Sequence, residues 1–301
     1  MRSQICQIAA AAAFLAGPIV ADPIFFSTGN PDGKIAADSR PASSGKFEIE
    51  TGDDFVLSTE ASINGASFTG LLTGGVTSSD IAGVRVEIYR VFPDDSDVGR
   101  TTGAPDFITP NVPTRVNSPS DVELDDRDSA SGGLTFTTGI INGTFTAANS
   151  VQPGGIHPKP GDTTGGNGAI TGTEVQFNVT FTTPFDLLAD HYFFVPQVEI
   201  ASPDGEFYWL SAPRPIVPPG TAFPSGSTDL QAWTRDQFLD PDWLRVGTDI
   251  VGGNPAPTFN MAFTLSGDTV SSVPEPSSII VLGTGMLAIL GIGRKRRLPR
   301  R

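Results

Sequence analysis

Cysteine is nearly missing from this chain: of 301 residues only Cys6 carries a thiol. It precedes the apolar core of the N-terminal segment, whereas a lipid-modified cysteine follows small residues at the far end of such a core. Once a leader containing Cys6 is removed, neither a disulfide nor a cysteine-based zinc site can form. Histidine is almost as scarce. His157 and His191 stand apart, and neither lies in a His-x-x-x-His or glutamate-bearing metal motif. There is no Gly-x-Ser-x-Gly elbow and no glycine loop ending in Lys-Ser/Thr. A glycosidase needs only two carboxylates, but nothing in the sequence singles out a pair. The expectation is a protein without catalytic activity.

Positive charge is also sparse where it would matter. Of 19 Lys and Arg, seven are Arg2 and the six cations of the last eight residues; of 33 Asp and Glu, one is Glu275. Residues 22–273 therefore hold 12 basic against 32 acidic side chains, a net charge of −20. Such a surface repels phosphate backbones, so nucleic acid is excluded as a partner. It remains compatible with cations, neutral glycans or plain solubility.

What is abundant points to strands. Gly 34 and Pro 26 together make 60 residues, and Thr, Val, Ile and Phe crowd the apolar segments. These residues punctuate turns and fill sheets. With 38% hydrophobic content the chain can bury a substantial core.

The two ends carry the most specific signals. Residues 1–21 combine Arg2, an apolar run from Ile8 through Leu15, a Gly17-Pro18 break and Val20-Ala21 before Asp22, the layout of a signal peptide cut after Ala21 by signal peptidase. At the other end Val273-Pro274-Glu275-Pro276 precedes an apolar run, then Arg294-Lys295-Arg296-Arg297 and Arg300-Arg301. A helix over residues 276–293 would rise about 27 Å, just short of a hydrocarbon core of about 30 Å. The cations beyond it can snorkel to the headgroups and hold that end in the cytoplasm. Pro274 and Pro276 keep Glu275 extended, because residues before proline avoid the helical region.

This tail resembles the PEP-CTERM sorting signal of Gram-negative bacteria. The resemblance covers about 29 residues, 273–301, and implies recognition by an exosortase. That membrane transpeptidase cleaves near Pro274, Glu275 and Pro276 and delivers the product to the cell surface or extracellular matrix. The membrane would then be a partner only of the precursor.

Between the ends, residues 22–272 read as one extracytoplasmic domain. Alternation is clearest where Val175, Phe177, Val179 and Phe181 face one way and Gln176, Asn178, Thr180 and Thr182 the other. Further strands are expected at 47–51, 55–59, 67–72, 84–92, 134–138, 140–146, 192–195, 198–200, 207–210 and 259–265. A short helix is expected after Asp229, and Ser202-Pro203-Asp204-Gly205 reads as a hairpin turn. Residues 93–133 form a long acidic, proline-bearing connection. The fold class is all-β: a single jelly-roll-like β-sandwich with long loops, followed by the C-terminal transmembrane helix.

Two constellations are candidate sites. Asp94, Asp95 and Asp97, and then Asp121, Glu123, Asp125, Asp126 and Asp128, offer loop carboxylates of the kind that ligate calcium, although neither group has the EF-hand spacing. Trp209, Trp233 and Trp243, with Tyr208, could stack on sugar rings. The sequence thus predicts a surface-attached or secreted matrix protein. Its alternatives are a lectin-like module that binds extracellular polysaccharide and a secreted polysaccharide hydrolase.

Overall fold

A computed structural model of the chain describes residues 23–43, 45–98, 116–156 and 163–270. The signal peptide, the Pro274-Glu275-Pro276 motif, the expected helix 276–293, the basic cluster Arg294 to Arg297 and His157 lie outside the described residues. Among the described residues, no helix is long and apolar enough to cross a membrane.

Fifteen strands follow in chain order: β1 (Pro23–Ser27), β2 (Ile35–Asp38), β3 (Ile49–Val56), β4 (Ala61–Thr73), β5 (Ile81–Arg90), β6 (Asp125–Asp128), β7 (Leu134–Ala147), β8 (Asn149–Val151), β9 (Ile170–Leu187), β10 (His191–Ile200), β11 (Glu206–Ala212), β12 (Trp233–Asp236), β13 (Leu244–Arg245), β14 (Asn260–Met261) and β15 (Phe263–Thr269). They form one sheet of nine strands and one of six. In the larger sheet β4 is the spine. One of its edges takes β9, which carries β7 outermost. Its other edge is shared end to end by β15, which carries β1, and β11, which carries β2 and then β8. The smaller sheet runs β13-β12-β3-β10-β5-β6.

The sheets pack face to face through phenylalanine. Phe194 of the smaller sheet stacks on Phe263 at 5.1 Å and meets Trp209 at 6.0 Å, while Phe68 and Phe177 of the larger sheet stack at 4.8 Å. All of these rings are buried, and burying one such side chain contributes roughly 1.5–3 kcal/mol. Within the larger sheet, the seating of the Phe207 ring of β11 against β4 needs Gly70. A Cβ there would lie 2.2 Å from the Phe207 ring and 2.5 Å from the Tyr208 carbonyl oxygen.

The all-β class and the alternation of β9 therefore stand, and several boundaries change. The strands expected at 47–51 and 55–59 are one continuous β3 that runs through Asp53 and Asp54. Those expected at 134–138 and 140–146 are one β7 of 14 residues. The short helix expected directly after Asp229 does not form; the helical turn that does follow is a π-helix at Val246–Val251. In place of the expected helix, Trp233–Asp236 pairs with Ile49–Gly52 as β12, because two strand edges satisfy more backbone than an isolated turn of helix. The turn at Ser202–Gly205 forms, with the Gly205 N–H on the Ser202 carbonyl at 3.3 Å, but it joins β10 of one sheet to β11 of the other rather than closing a hairpin.

Candidate functional site

The outer face of the six-stranded sheet is not wet. Segments 116–123, 226–232 and 237–243, the latter two flanking β12, fold over it, and Tyr89, Phe193, Val195, Leu230, Trp233 and Trp243 make a second apolar layer there. Beneath that cover lie charges. On β12, Arg235 hydrogen-bonds Glu50 of β3 through Nε and, at 3.0 Å, through Nη2, and it reaches Asp240 at 2.9 Å. Its guanidinium lies 4.3 Å from the Trp243 ring centre. The Tyr89 hydroxyl donates to Glu50 at 2.7 Å and lies 3.2 Å from Glu87.

The two glutamates take opposite protonation states. Burial pushes Glu50 up, but the charge and hydrogen bonds of Arg235, with those from Glu87 and Tyr89, outweigh it and hold the carboxylate below its usual range. Burial pushes Glu87 up as well, and the adjacent Glu50 charge adds to it, to about 10. Arg85, whose Nε lies 2.9 Å from Glu87, pulls the other way without outweighing them, so Glu50 is held as the anion by Arg235 while Glu87 keeps its proton. Leaving both ionised would cost far more.

At the other end of β3 two successive carboxyls are buried on opposite faces. Asp53 points into the space between the sheets, where its Oδ2 accepts the Met261 N–H at 2.7 Å; burial and the Asp54 charge raise it well above the ordinary value. Asp54 points outward, accepts the Leu230 N–H at 3.0 Å and shares a hydrogen bond of 2.6 Å with His191 Nε2. Burial raises Asp54, against the pull of His191, to about 6. Through Leu230 this aspartate ties the covering segment to the sheet. Beside the pair an open cleft of about 450 Å³ is lined by Val56, Leu57, Val91, Asn117, His191 and Thr228. The cleft offers an imidazole backed by a carboxyl group. The ring's hydrogen bond to Asp54 orients the imidazole at the cleft wall.

The acidic clusters are drawn together but occupied. Arg90 reaches Asp94 at 3.5 Å, Asp95 at 3.8 Å and Asp190 at 3.1 Å. The Asp97 N–H donates to Asp121 at 2.9 Å, which joins the first cluster to the second. Arg85 holds Glu123 at 3.0 Å and Asp126 at 3.3 Å; Arg127 holds Asp125 at 2.6 Å; Asp128 accepts the Ala130 N–H at 2.7 Å. Among the described residues, no three His, Cys, Asp or Glu side chains converge as a metal would require.

The stacking platform does not exist as a surface. Trp209 and Trp243 are 0% exposed, Trp233 2% and Tyr208 4%. Trp209 donates its indole N–H to the Ala262 carbonyl at 2.9 Å, and Trp243 donates to that of Ser120 at 3.2 Å. Their rings face protein on both sides, so none offers a free face to a sugar. The sequence reading missed Asp53, Asp54, Glu50, Glu87 and Arg235. The available signal was the alternation Ile49, Thr51, Asp53, Phe55, which continues a strand through what looks like a turn.

The ends of the folded unit meet at one corner. β1 and β15 are antiparallel neighbours with Pro23 opposite Asp268. Among the described residues, the last backbone bond of the sandwich runs from the Val270 N–H to the Glu60 carbonyl at 2.9 Å. Immediately beyond it, the family described as the PEP-CTERM protein-sorting motif matches residues 272–297. No curated protein and no solved structure matches the chain.

Proposed function

We propose that the sorting motif at residues 272–297 delivers a self-contained, non-enzymatic β-sandwich to the cell surface, where it serves as a structural component of the extracellular matrix. The motif supports exosortase-type sorting of an exported protein through a membrane-anchored precursor. The observation that carries the proposal is the junction: the last backbone hydrogen bond among the described residues is at Val270, and the motif begins two residues on. Cleavage near Pro274-Glu275-Pro276 removes none of the described strands, the last of which ends at Thr269. Removal of residues 1–21 likewise ends just before Pro23, the first residue of β1. The interior supports a structural role, because Arg235, Glu50 and Asp54 are spent on contacts that tie the covering segments to the sheet.

Intact-mass measurement of the surface-exposed protein tests the processing. The expected mass is that of a chain starting near Asp22 and ending near Glu275. The double substitution Pro274→Ala and Pro276→Ala is expected to leave the precursor in the membrane with its tail attached. Normal processing of that variant overturns the sorting claim.

A further inference from the structure

Rim strands expose a row of unpaired backbone donors and acceptors, and proteins protect such rims with short strands, charges or proline. Most rims of this molecule follow that rule. β6 is four residues, all charged; β8 has three residues, β13 and β14 two each, and β1 five, including Pro23. β7 does not. It is 14 residues long, borders the nine-stranded sheet with only β9 beside it among the described residues, and contains neither charge nor proline. Ile140 and Ile141 on it are 64% and 54% exposed.

We propose that β7 is a self-association edge, at which a second copy of this chain adds its own β7 antiparallel and continues the sheet. The regular part is Leu134–Ile140, which pairs with Val175–Phe181 without a register break; the bulges lie beyond it, around Asn142. A two-fold axis through Thr137 sets Leu134 of each copy opposite Ile140 of the other and Phe136 opposite Thr138. These four residues share the face of Phe181, Val179, Phe177 and Val175, so the exposed Ile140 gains an apolar neighbour on the core side of the continued sheet. Thr135 and Gly139 meet on the outer face, and Thr137 meets itself. Charge selects the same edge. Residues 22–273 carry −20, so two copies repel over most of their surface, but the two strands that would touch are neutral. An isologous contact needs a self-complementary patch, and this seven-residue segment is one.

Cross-linking tests the geometry directly. Opposed residues of an antiparallel pair have Cα atoms about 4.5–5.5 Å apart, within disulfide range. In the full chain carrying Cys6→Ser, so that no native thiol remains, Thr137→Cys is expected to give a disulfide-linked dimer under mild oxidation. Leu188→Cys, at a site 67% exposed on another loop, is expected to stay monomeric. Thr137→Lys opposes two ammonium groups across the axis and is expected to abolish the dimer seen by sedimentation without changing the melting temperature. A wild-type monomer at every concentration, equal cross-linking from the two cysteine positions, or a dimer indifferent to Thr137→Lys each overturns the proposal.

Discussion

Glu50 and Glu87 are the same residue type on neighbouring parts of one buried layer, and they respond oppositely to substitution because Arg235 binds only one of them. Glu50→Gln leaves the Arg235 guanidinium buried without its counter-charge and is expected to cost about 3–5 kcal/mol in urea unfolding. Glu87→Gln mimics the neutral acid that the fold already holds and is expected to be tolerated. Its effect shows in pH dependence. The folded value of about 10 lies above the ordinary 4.5, so the contribution of Glu87 is complete below pH 4.5 and is lost as pH rises towards 10. Within that window the wild type is expected to lose stability with a slope of up to about 1.4 kcal/mol per pH unit relative to Glu87→Gln. Melting curves at several pH values check this, and parallel curves for the two proteins would refute the assignment of a neutral Glu87.

At the scale of elements, sheet packing depends on small residues where rings cross the backbone. Gly70 of β4 lies under the Phe207 ring of β11, and Phe207 in turn packs edge-on to Phe68 at 5.8 Å and to Phe177 at 5.3 Å. Gly70→Ala must displace that ring or the β11 backbone and is expected to lower stability by about 1–3 kcal/mol with the fold retained, measurable as a reduced melting temperature. The elements most legible from sequence were those with strict alternation on one buried face, such as β9. Those that were misread cross a polar or glycine-bearing stretch. β3 continues through Asp53 and Asp54 because Met261 and Leu230 supply backbone donors from far along the chain. β12 replaces the expected helix because the edge of β3 is available to it.

For the whole molecule the decisive feature is that the first and last described strands are neighbours. With Pro23 beside Asp268, the described chain begins and ends at one corner of the sandwich, and the fifteen described strands all lie between Pro23 and Thr269. A chain ending at Val270 is therefore expected to melt at the same temperature as the full chain, whereas one ending at Ala262 loses β15, exposes the edges of both β1 and β4, and is expected not to fold. Circular dichroism melting of the two truncations distinguishes these outcomes. A drop in melting temperature on removing residues 271–301 alone would mean that the sorting segment is part of the fold.

The sequence by itself determined the address and the class. A sorting tail is contiguous, and the alternation of a strand or the chemistry of a turn is set within a few residues, so both can be read locally. Only the tertiary structure decided the polar interior. Glu50 and Arg235 are separated by 185 residues, and Asp54 and His191 by 137. Nothing local to an acidic residue states whether a cation from another strand will meet it or whether a later segment will cover it. For the same reason the loop carboxylates turned out to be partnered and the tryptophans closed off. Their surroundings come from strands that reach them only once the sheets have formed.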